Sequence, residues 1–203
     1  MMIWDWKSEM KPLYFPPSNK VVEVDVPPLQ YLMVHGEGDP NTSKDYRGAI
    51  EALYNVAYTL KFTLKKTDAA KDFKVGPLEG LWWNNEQECL DPGKKEGWKW
   101  TAMIVMPPFI KPEMVDKARV AAEKKKDNPL LARLKLEGLD EGRCAQILYI
   151  GPWAEEHATI QRVHDFIQGQ DGKPKGKHHE IYMSDPRRVA PEKLKTVIRR
   201  PFV

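Results

Sequence analysis

The feature that most constrains the fold is an order of segments that occurs twice along the chain. In the first half, an extended stretch at 29–34 is followed by a helix from near Lys44 to about Lys66 and by extended stretches at 78–84 and 98–106. From Arg143 the order repeats, with an apolar strand at 144–150, a helix starting at Pro152 and two more extended segments. Each half ends in a strand that leads into Pro, Phe and a β-branched residue. The sequence therefore predicts two copies of a strand-helix-strand-strand unit.

This order predicts an α+β fold in which residues 1–203 form a single domain, with pseudo-repeats at about 21–110 and 132–203. The strands are expected to pair antiparallel, with the helices on one face of the sheets and the opposite face partly free. A chain of 203 residues with 41% hydrophobic residues is long enough to bury such a core.

The helix predicted at 44–66 carries two apolar stripes. Tyr54, Tyr58 and Phe62 lie four residues apart and form an aromatic stripe. For Tyr54 and Tyr58, core packing and the wall of a pocket both stay open. Thr42 and Asp45 resemble a capping box at the start of the helix. The stripe that is expected to be buried consists of aliphatic residues at helical spacing, namely Ile50, Leu53, Ala57, Leu60 and Leu64.

Four of the seven tryptophans fall close together in one predicted hairpin, formed by 78–84 and 98–106. Strand alternation places Trp98 and Trp100 on one face and sends the neighbours Trp82 and Trp83 to opposite faces, so at least one of that pair belongs to the core. Aromatic side chains offer a flat apolar ligand a large contact area, and their ring faces attract cations. The hairpin is therefore a candidate wall for a ligand pocket, with core packing as the alternative.

The segment at 178–186 contains the most informative charged residue. Alternation sends Ile181 and Met183 to the helix-covered face and places Glu180 and Tyr182 together on the other face. An ionised Glu inside a strand costs several kcal/mol if it is buried without a partner. Glu180 is therefore expected to be paired or functional, and the alternative is a residue that faces solvent.

Charge and composition exclude several classes of function. The 32 basic and 29 acidic side chains leave a formal charge of only +3, which argues against a dedicated nucleic-acid binder. Neither a signal peptide nor an apolar stretch of membrane-spanning length is present, so a cytoplasmic location without a membrane partner is expected. Cys89 and Cys144 form no disulfide framework, which fits a reducing compartment.

No metal or cofactor is expected. The neighbours His178 and His179 face opposite sides of a strand and cannot hold one ion, and His157 and His164 lie two helical turns apart. A glycine-rich phosphate-binding loop and a nucleophile elbow are also missing from the sequence.

Taken together, the motifs of the chain resemble those of stand-alone GyrI-like small-molecule-binding proteins. The resemblance spans nearly the whole sequence, and its most specific part is His179-Glu180-Ile181-Tyr182 followed by Asp185-Pro186-Arg187-Arg188. The other matching stretches are 11–14 (KPLY), 34–41 (VHGEGDPN), 49–54 (AIEALY), 58–61 (YTLK), 81–83 (LWW), 150–152 (IGP) and 155–156 (EE).

The resemblance implies a ligand cleft between the two halves, on the side of the sheet opposite the helices. In similar drug-sensing regulators, a Glu that matches Glu180 lies at the base of an aromatic pocket and meets planar cations. The role carries over to Glu180 and more loosely to Tyr182. The aromatic residues expected to contact the ligand are Trp82, Trp83, Trp98, Trp100, Tyr54, Tyr58 and Tyr149.

Some stand-alone members of this family resemble hydrolases that open the cyclopropane ring of DNA-alkylating cyclopropanoid compounds. By that resemblance, Glu180 is expected to orient or deprotonate a water molecule, and Tyr182 to position Glu180 or that water. Two alternatives stay open: a multidrug-binding protein that only sequesters its ligand, and an interaction partner in transcription or of gyrase. The absence of a helix-turn-helix region argues against a regulator of the simplest kind.

Overall fold

The computed structural model describes residues 3–68, 71–84 and 97–203. Its helices are α1 (Trp6–Glu9), α2 (Lys11–Tyr14), α3 (Lys44–Thr67), α4 (Pro112–Glu123) and α5 (His157–Gln168). Its strands are β1 (Val22–Val26), β2 (Leu29–Glu37), β3 (Leu78–Trp83), β4 (Lys99–Met106), β5 (Lys135–Leu139), β6 (Gly142–Ile150), β7 (His178–Tyr182) and β8 (Lys195–Pro201). Cys89 lies outside the described residues.

The described strands form one antiparallel sheet in the order β1-β6-β8-β7-β3-β4-β2-β5. The order is mirrored about the central pair, because β3-β4-β2 on one side corresponds to β7-β8-β6 on the other. At the centre β3 and β7 pair with Gly80 opposite Glu180. The predicted α+β class with antiparallel strands is confirmed, whereas the interpretation as two copies of one unit stays a prediction.

Helix α3 forms over the predicted range but is capped differently. The N-cap residue is Ser43, whose hydroxyl accepts a hydrogen bond of 3.1 Å from the backbone N–H of Tyr46. The predicted capping box of Thr42 and Asp45 is therefore wrong by one residue. The aliphatic stripe packs on the sheet as expected, except that Ile50 is only partly buried; its buried members are Leu53, Ala57, Leu60 and Leu64.

Helices α3 and α5 cover the outer strands of one face and leave the middle open. Among the strands, α3 packs on β2 and β4, and α5 packs on β6 and β8; α3 also packs against α4. The central strands β3 and β7 therefore form the floor of a cleft whose sides are the two helices.

The opposite face of the sheet is covered by the N-terminal segment. Trp6, Leu13 and Tyr14 pack there in one cluster with Ile181 and Val197. The expectation that Ile181 and Met183 lie on the helix-covered face is therefore wrong, because both belong to this second cluster, on the face opposite α3 and α5. Glu180 and Tyr182 face α3 and α5 instead. The cleft lies on the same side of the sheet as the helices, since these cover only the outer strands.

Among the described residues, none of the helices is both long and apolar enough to cross a membrane.

Candidate functional site

A cleft of about 2430 Å³ lies between α3 and α5, above β3 and β7. Helix α3 contributes Tyr46, Tyr54 and Tyr58 to its lining, and the hairpin strands contribute Trp82 and Trp98. The segment before α5 and the helix itself contribute Trp153, Glu156, His157 and His164. Aromatic side chains thus lie on three sides of the cleft, which suits a flat organic ligand.

Three side chains of β7 point into this cleft because alternate residues of a strand share one face. Glu180 is buried, with only 8% of the residue exposed. Its Oε1 lies 2.9 Å from Nε2 of His178, and its Oε2 accepts a hydrogen bond of 2.7 Å from the hydroxyl of Tyr182. Both oxygens are therefore held by neighbours two residues away on the same strand.

The hydroxyl of Tyr182 is fixed in turn by Trp82. The indole N–H of Trp82 donates a hydrogen bond of 3.0 Å to Tyr182. Gly80 makes this arrangement possible, because a Cβ at that position would lie 2.7 Å from Nε1 of Trp82. The result is a chain of hydrogen bonds in which Trp82 donates to Tyr182 and Tyr182 donates to Glu180. Burial and the charge of Glu180 keep the pKa of Tyr182 well above 10, so the phenol stays a donor.

A second carboxyl group reaches Glu180 from the N-terminal end of α5. Glu156 forms a side-chain hydrogen bond with Glu180, which requires a proton between the two groups. Burial, followed by the charge of Glu180, raises the pKa of Glu156 to about 9. Glu156 is therefore protonated at neutral pH.

Glu180 is the ionised member of the pair. Burial raises its pKa, but the hydrogen bonds from His178, Tyr182 and Glu156 and the charge of His178 outweigh this effect and hold the pKa below the usual value. The floor of the cleft thus combines one negative charge with one shared proton. Within the described parts of the chain, no group of three or more His, Cys, Asp or Glu is arranged to hold a metal ion.

Most of the residues proposed from the sequence meet at this cleft. Glu180, Tyr182, Trp82, Trp98, Tyr54 and Tyr58 all line it. As alternation predicts, Trp82 and Trp83 belong to clusters on opposite faces of the sheet.

The structure does not bring the other three proposed aromatic residues to the cleft. Trp83 lies on the opposite face, where Nζ of Lys177 sits 3.6 Å from its ring centroid. Trp100 is fully buried in the core beneath Tyr46, with ring centroids 5.0 Å apart. Tyr149 packs beside α5 and donates a hydrogen bond of 2.9 Å to the carbonyl oxygen of Pro152. The prediction that these three residues line the cleft is therefore wrong, while the ligand contacts of the other six stay a prediction.

Four residues of the site escaped sequence reasoning: Glu156, His178, Tyr46 and Trp153. In the sequence, Glu156 lies at the start of a predicted helix, where the helix dipole favours negative charge, so its presence needs no functional explanation. His178 was weighed only as a metal ligand, although its spacing of two from Glu180 within a strand places both on one face. Trp153 contacts Tyr182 edge to face at 5.5 Å, and the sequence holds no signal for this contact.

The fold and the cleft define a small-molecule-binding protein, built around a buried carboxylate with aromatic walls. Residues 19–202 match the model of the GyrI-like small molecule binding domain, and the chain belongs to this family. No curated protein matches the sequence.

Solved structures agree with this assignment. The chain is similar to an uncharacterised conserved protein from Listeria innocua, with 38% identity, a TM-score of 0.91, and coverage of 98% of this chain and 100% of that one. It is also similar to a Listeria innocua hydrolase encoded by lin2189, with 36% identity and a TM-score of 0.88 over the full length of both chains. The C-terminal domain of EcmrR, at 10% identity and a TM-score of 0.58 over 94% of this chain and 98% of that domain, shares the fold alone.

Proposed function

We propose that the cleft binds planar aromatic molecules, neutral or cationic, and hydrolyses cyclopropanoid DNA-alkylating compounds by adding water to the cyclopropane ring. The observation that carries this proposal is the ionised carboxylate of Glu180, buried at the floor of an aromatic cleft and oriented by three hydrogen-bond partners. A bound cation pairs with the charge of Glu180, and a neutral aromatic ring packs against the aromatic side chains that line the cleft.

The hydrolysis needs little from the protein beyond orientation. The oxygen of a water molecule attacks the strained ring carbon, the carbon–carbon bond of the cyclopropane breaks, and its electron pair moves into the conjugated carbonyl group. One proton stays on the water oxygen, which becomes a hydroxyl on the former ring carbon. The other proton is released as the new carbon–oxygen bond forms, and the carbonyl oxygen takes up one proton and ends as a hydroxyl. The net reaction is the addition of one water molecule without oxidation or reduction.

In this reaction Glu180 orients the water and stabilises the positive charge that develops on it. Because the pKa of Glu180 is held below its usual value, its strength as a general base is low. Orientation beside an activated electrophile supplies the larger part of the acceleration. Tyr182 is a positioning residue, since its hydroxyl holds Oε2 of Glu180 at 2.7 Å.

The comparisons with solved structures support a hydrolytic activity. Two of the similar proteins from Listeria innocua are described as hydrolases, and both are 36% identical to this chain. Their fold and length coincide with those of this protein.

A second candidate is a protein that binds the same ligands without turnover. The observation in its favour is that the oxygens of Glu180 are already engaged by His178, Tyr182 and Glu156, which leaves a weak base. Such a site sequesters a planar cation as well as it positions a water molecule.

Mass spectrometry separates the two candidates. The purified protein is incubated with a cyclopropanoid alkylator in water enriched in heavy oxygen, with a protein-free sample as the control. Hydrolysis predicts a product that carries one labelled oxygen and forms repeatedly on each protein molecule. Binding without hydrolysis predicts that the alkylator is recovered intact, with a half-life no shorter than in the control.

A further inference from the structure

We propose that Glu156 allows the cleft to bind doubly charged planar ligands. A planar dication expels the proton shared by Glu156 and Glu180 and is then bound by two carboxylates. This inference rests on the proposed binding of planar cations and adds the class of doubly charged ligands. It assigns Glu156 a role in specificity that differs from the role of Glu180.

The geometry of the two carboxyl groups is the first step. Glu156 and Glu180 are joined by a hydrogen bond between their side chains. Oε2 of Glu156 is buried, and no donor group among the described residues binds it. A buried carboxylate oxygen without a donor is costly, so the shared proton is what stabilises the pair in the absence of ligand.

The surroundings of the pair are the second step. Within the described chain, Glu156 forms no ion pair with a Lys or Arg side chain. The proton therefore occupies the place that a fixed cation takes at other buried acids. Among the titratable groups, His178 and Tyr182 from β7 contact Glu180, and Tyr46 from α3 lies within reach of its charge. His157 and His164 from α5 line the same cleft. The basic side chains that line the same cleft are all exposed: Lys7, Lys44, Arg47, Arg187, Arg188 and Lys195.

The charge of the ligand then determines whether the proton shared by Glu156 and Glu180 is kept or released. A neutral ligand leaves the pair with one negative charge. For a monocation the counter-ion is that same charge on Glu180, which His178 also contacts at 2.9 Å. A dication carries one charge more than Glu180 balances, and ionisation of Glu156 supplies the second. The pKa of Glu156 is about 9, so at pH 7 the dication must displace a bound proton. This requirement weakens dication binding at pH 7 by about a hundredfold relative to alkaline solution, where Glu156 is already ionised.

A matched ligand series tests this inference because the aromatic core stays constant while the charge changes. The series is bipyridine, its N-methyl monocation, and its N,N′-dimethyl dication, known as methyl viologen. Calorimetric titrations in two buffers of different ionisation enthalpy count the protons released on binding. We expect close to one proton released for the dication at neutral pH and none for the neutral compound.

The pH dependence of the two cations gives a second readout. Other charged groups of the cleft act on both cations, so the pH dependence of the ratio is compared with that of the Glu156→Gln variant, which lacks the carboxyl pair. We expect the ratio of dication to monocation affinity to rise by up to about tenfold per pH unit between about pH 6 and pH 8.

The variant Glu156→Gln is compared with Glu155→Gln, its exposed neighbour outside the cleft. We expect Glu156→Gln to abolish the proton release and the pH dependence of the ratio, and Glu155→Gln to retain both. If Glu156→Gln does not fold, the proton count of the unmodified protein decides alone.

Three outcomes overturn the inference. If the dication binds the unmodified protein without releasing a proton, or if Glu156→Gln releases as many protons as the unmodified protein, the role of Glu156 is wrong while the proposed binding function stands. If none of the three compounds binds, the binding function fails and this inference fails with it.

Discussion

The hydroxyl of Tyr182 donates a hydrogen bond of 2.7 Å to Glu180 across a single intervening residue of β7. The same oxygen accepts the indole N–H of Trp82 at 3.0 Å. Tyr182 is therefore both donor and acceptor, and its removal leaves two buried polar groups with fewer partners.

This relationship predicts the effect of Tyr182→Phe. The change removes one hydrogen bond to a charged group and one to an indole, so we expect a loss of about 1 to 3 kcal/mol in the free energy of unfolding. The pKa of Glu180 should rise, because one of the hydrogen bonds that lower it disappears. Denaturant unfolding measures the first effect, and carboxyl chemical shifts measured across a pH titration report the second.

Tyr149→Phe is the matched control for this change. Tyr149 does not line the cleft, and its hydroxyl donates to the carbonyl oxygen of Pro152 and not to Glu180, so the pKa of Glu180 should not move. Equal shifts of that pKa in the two variants would disprove the proposed contact.

A second prediction concerns the tryptophans on the two faces of the sheet. Trp153 lines the cleft and is 40% exposed, whereas Trp83 lies on the opposite face. We expect Trp153→Phe to weaken the binding of a planar aromatic dye by roughly 0.5 to 1.5 kcal/mol, the range measured for aromatic pairs. Fluorescence quenching titrations provide the affinities. Trp83→Phe should leave the affinity unchanged, and a loss there instead would place the ligand on the wrong side of the sheet.

The other face of the sheet holds a buried ionic network around His179. Its Nε2 lies 3.0 Å from Glu79 and its Nδ1 lies 3.0 Å from Glu141, so both nitrogens face a carboxylate. Arg199 contacts Glu141 at 3.1 Å and also donates to the carbonyl oxygen of Leu13, which fastens the N-terminal segment to the sheet. An imidazole between two carboxylates is held as the doubly protonated cation.

The third prediction is the pH dependence of this network. Burial lowers the pKa of His179, but the charge of Glu141 and the hydrogen bonds with both carboxylates raise it above 6.5. A raised folded pKa contributes stability that is complete below pH 6.5 and is lost as the pH rises through the folded value. We expect His179→Gln to be less stable than the unmodified protein, with a difference that shrinks at alkaline pH. Denaturant midpoints from pH 6 upward measure it, and a constant difference would show that His179 is not charged.

A fourth prediction is that the protein does not bind duplex DNA specifically. The formal charge of +3 results from 32 basic and 29 acidic residues, and phosphate binding alone needs a concentrated basic surface. A gel-shift assay at physiological salt should show no complex. Sequence-dependent binding at sub-micromolar protein would contradict this account.

Local patterns predicted much of this structure. The spacing of apolar residues gave α3 its range to within a residue of Lys44–Thr67, and alternation separated Trp82 from Trp83. Alternation also grouped Glu180 with Tyr182, because a strand leaves only two directions for its side chains.

The features that sequence reasoning missed depend on contacts between distant segments. Alternation defines two faces of a strand but does not say which face a helix covers, so Glu180 was assigned to the wrong side. The N-terminal segment covers the other face of the sheet through Trp6, Leu13 and Tyr14. The pattern of its apolar residues does not predict which face of the sheet they pack against. Glu156 lies 24 positions before Glu180 in the chain, and only the packing of α5 brings the two acids together.

The central claim is that the charge of Glu180 serves ligand binding and catalysis, and Glu180→Gln tests it most directly. The change keeps the shape of the side chain, so the protein should fold and a neutral planar ligand should still bind. Because Glu156 is free to ionise once Glu180 is neutral, the double variant with Glu156→Gln is measured beside it.

The decisive measurement is the rate of water addition to a cyclopropanoid, together with the affinity for a planar monocation. We expect Glu180→Gln to lower the rate by at least about 10²-fold, the smaller end of the range for loss of a catalytic carboxylate. The double variant should weaken cation binding by roughly 1 to 3 kcal/mol, since no counter-ion remains in the cleft. An unchanged rate in Glu180→Gln and unchanged cation affinity in the double variant would contradict the account.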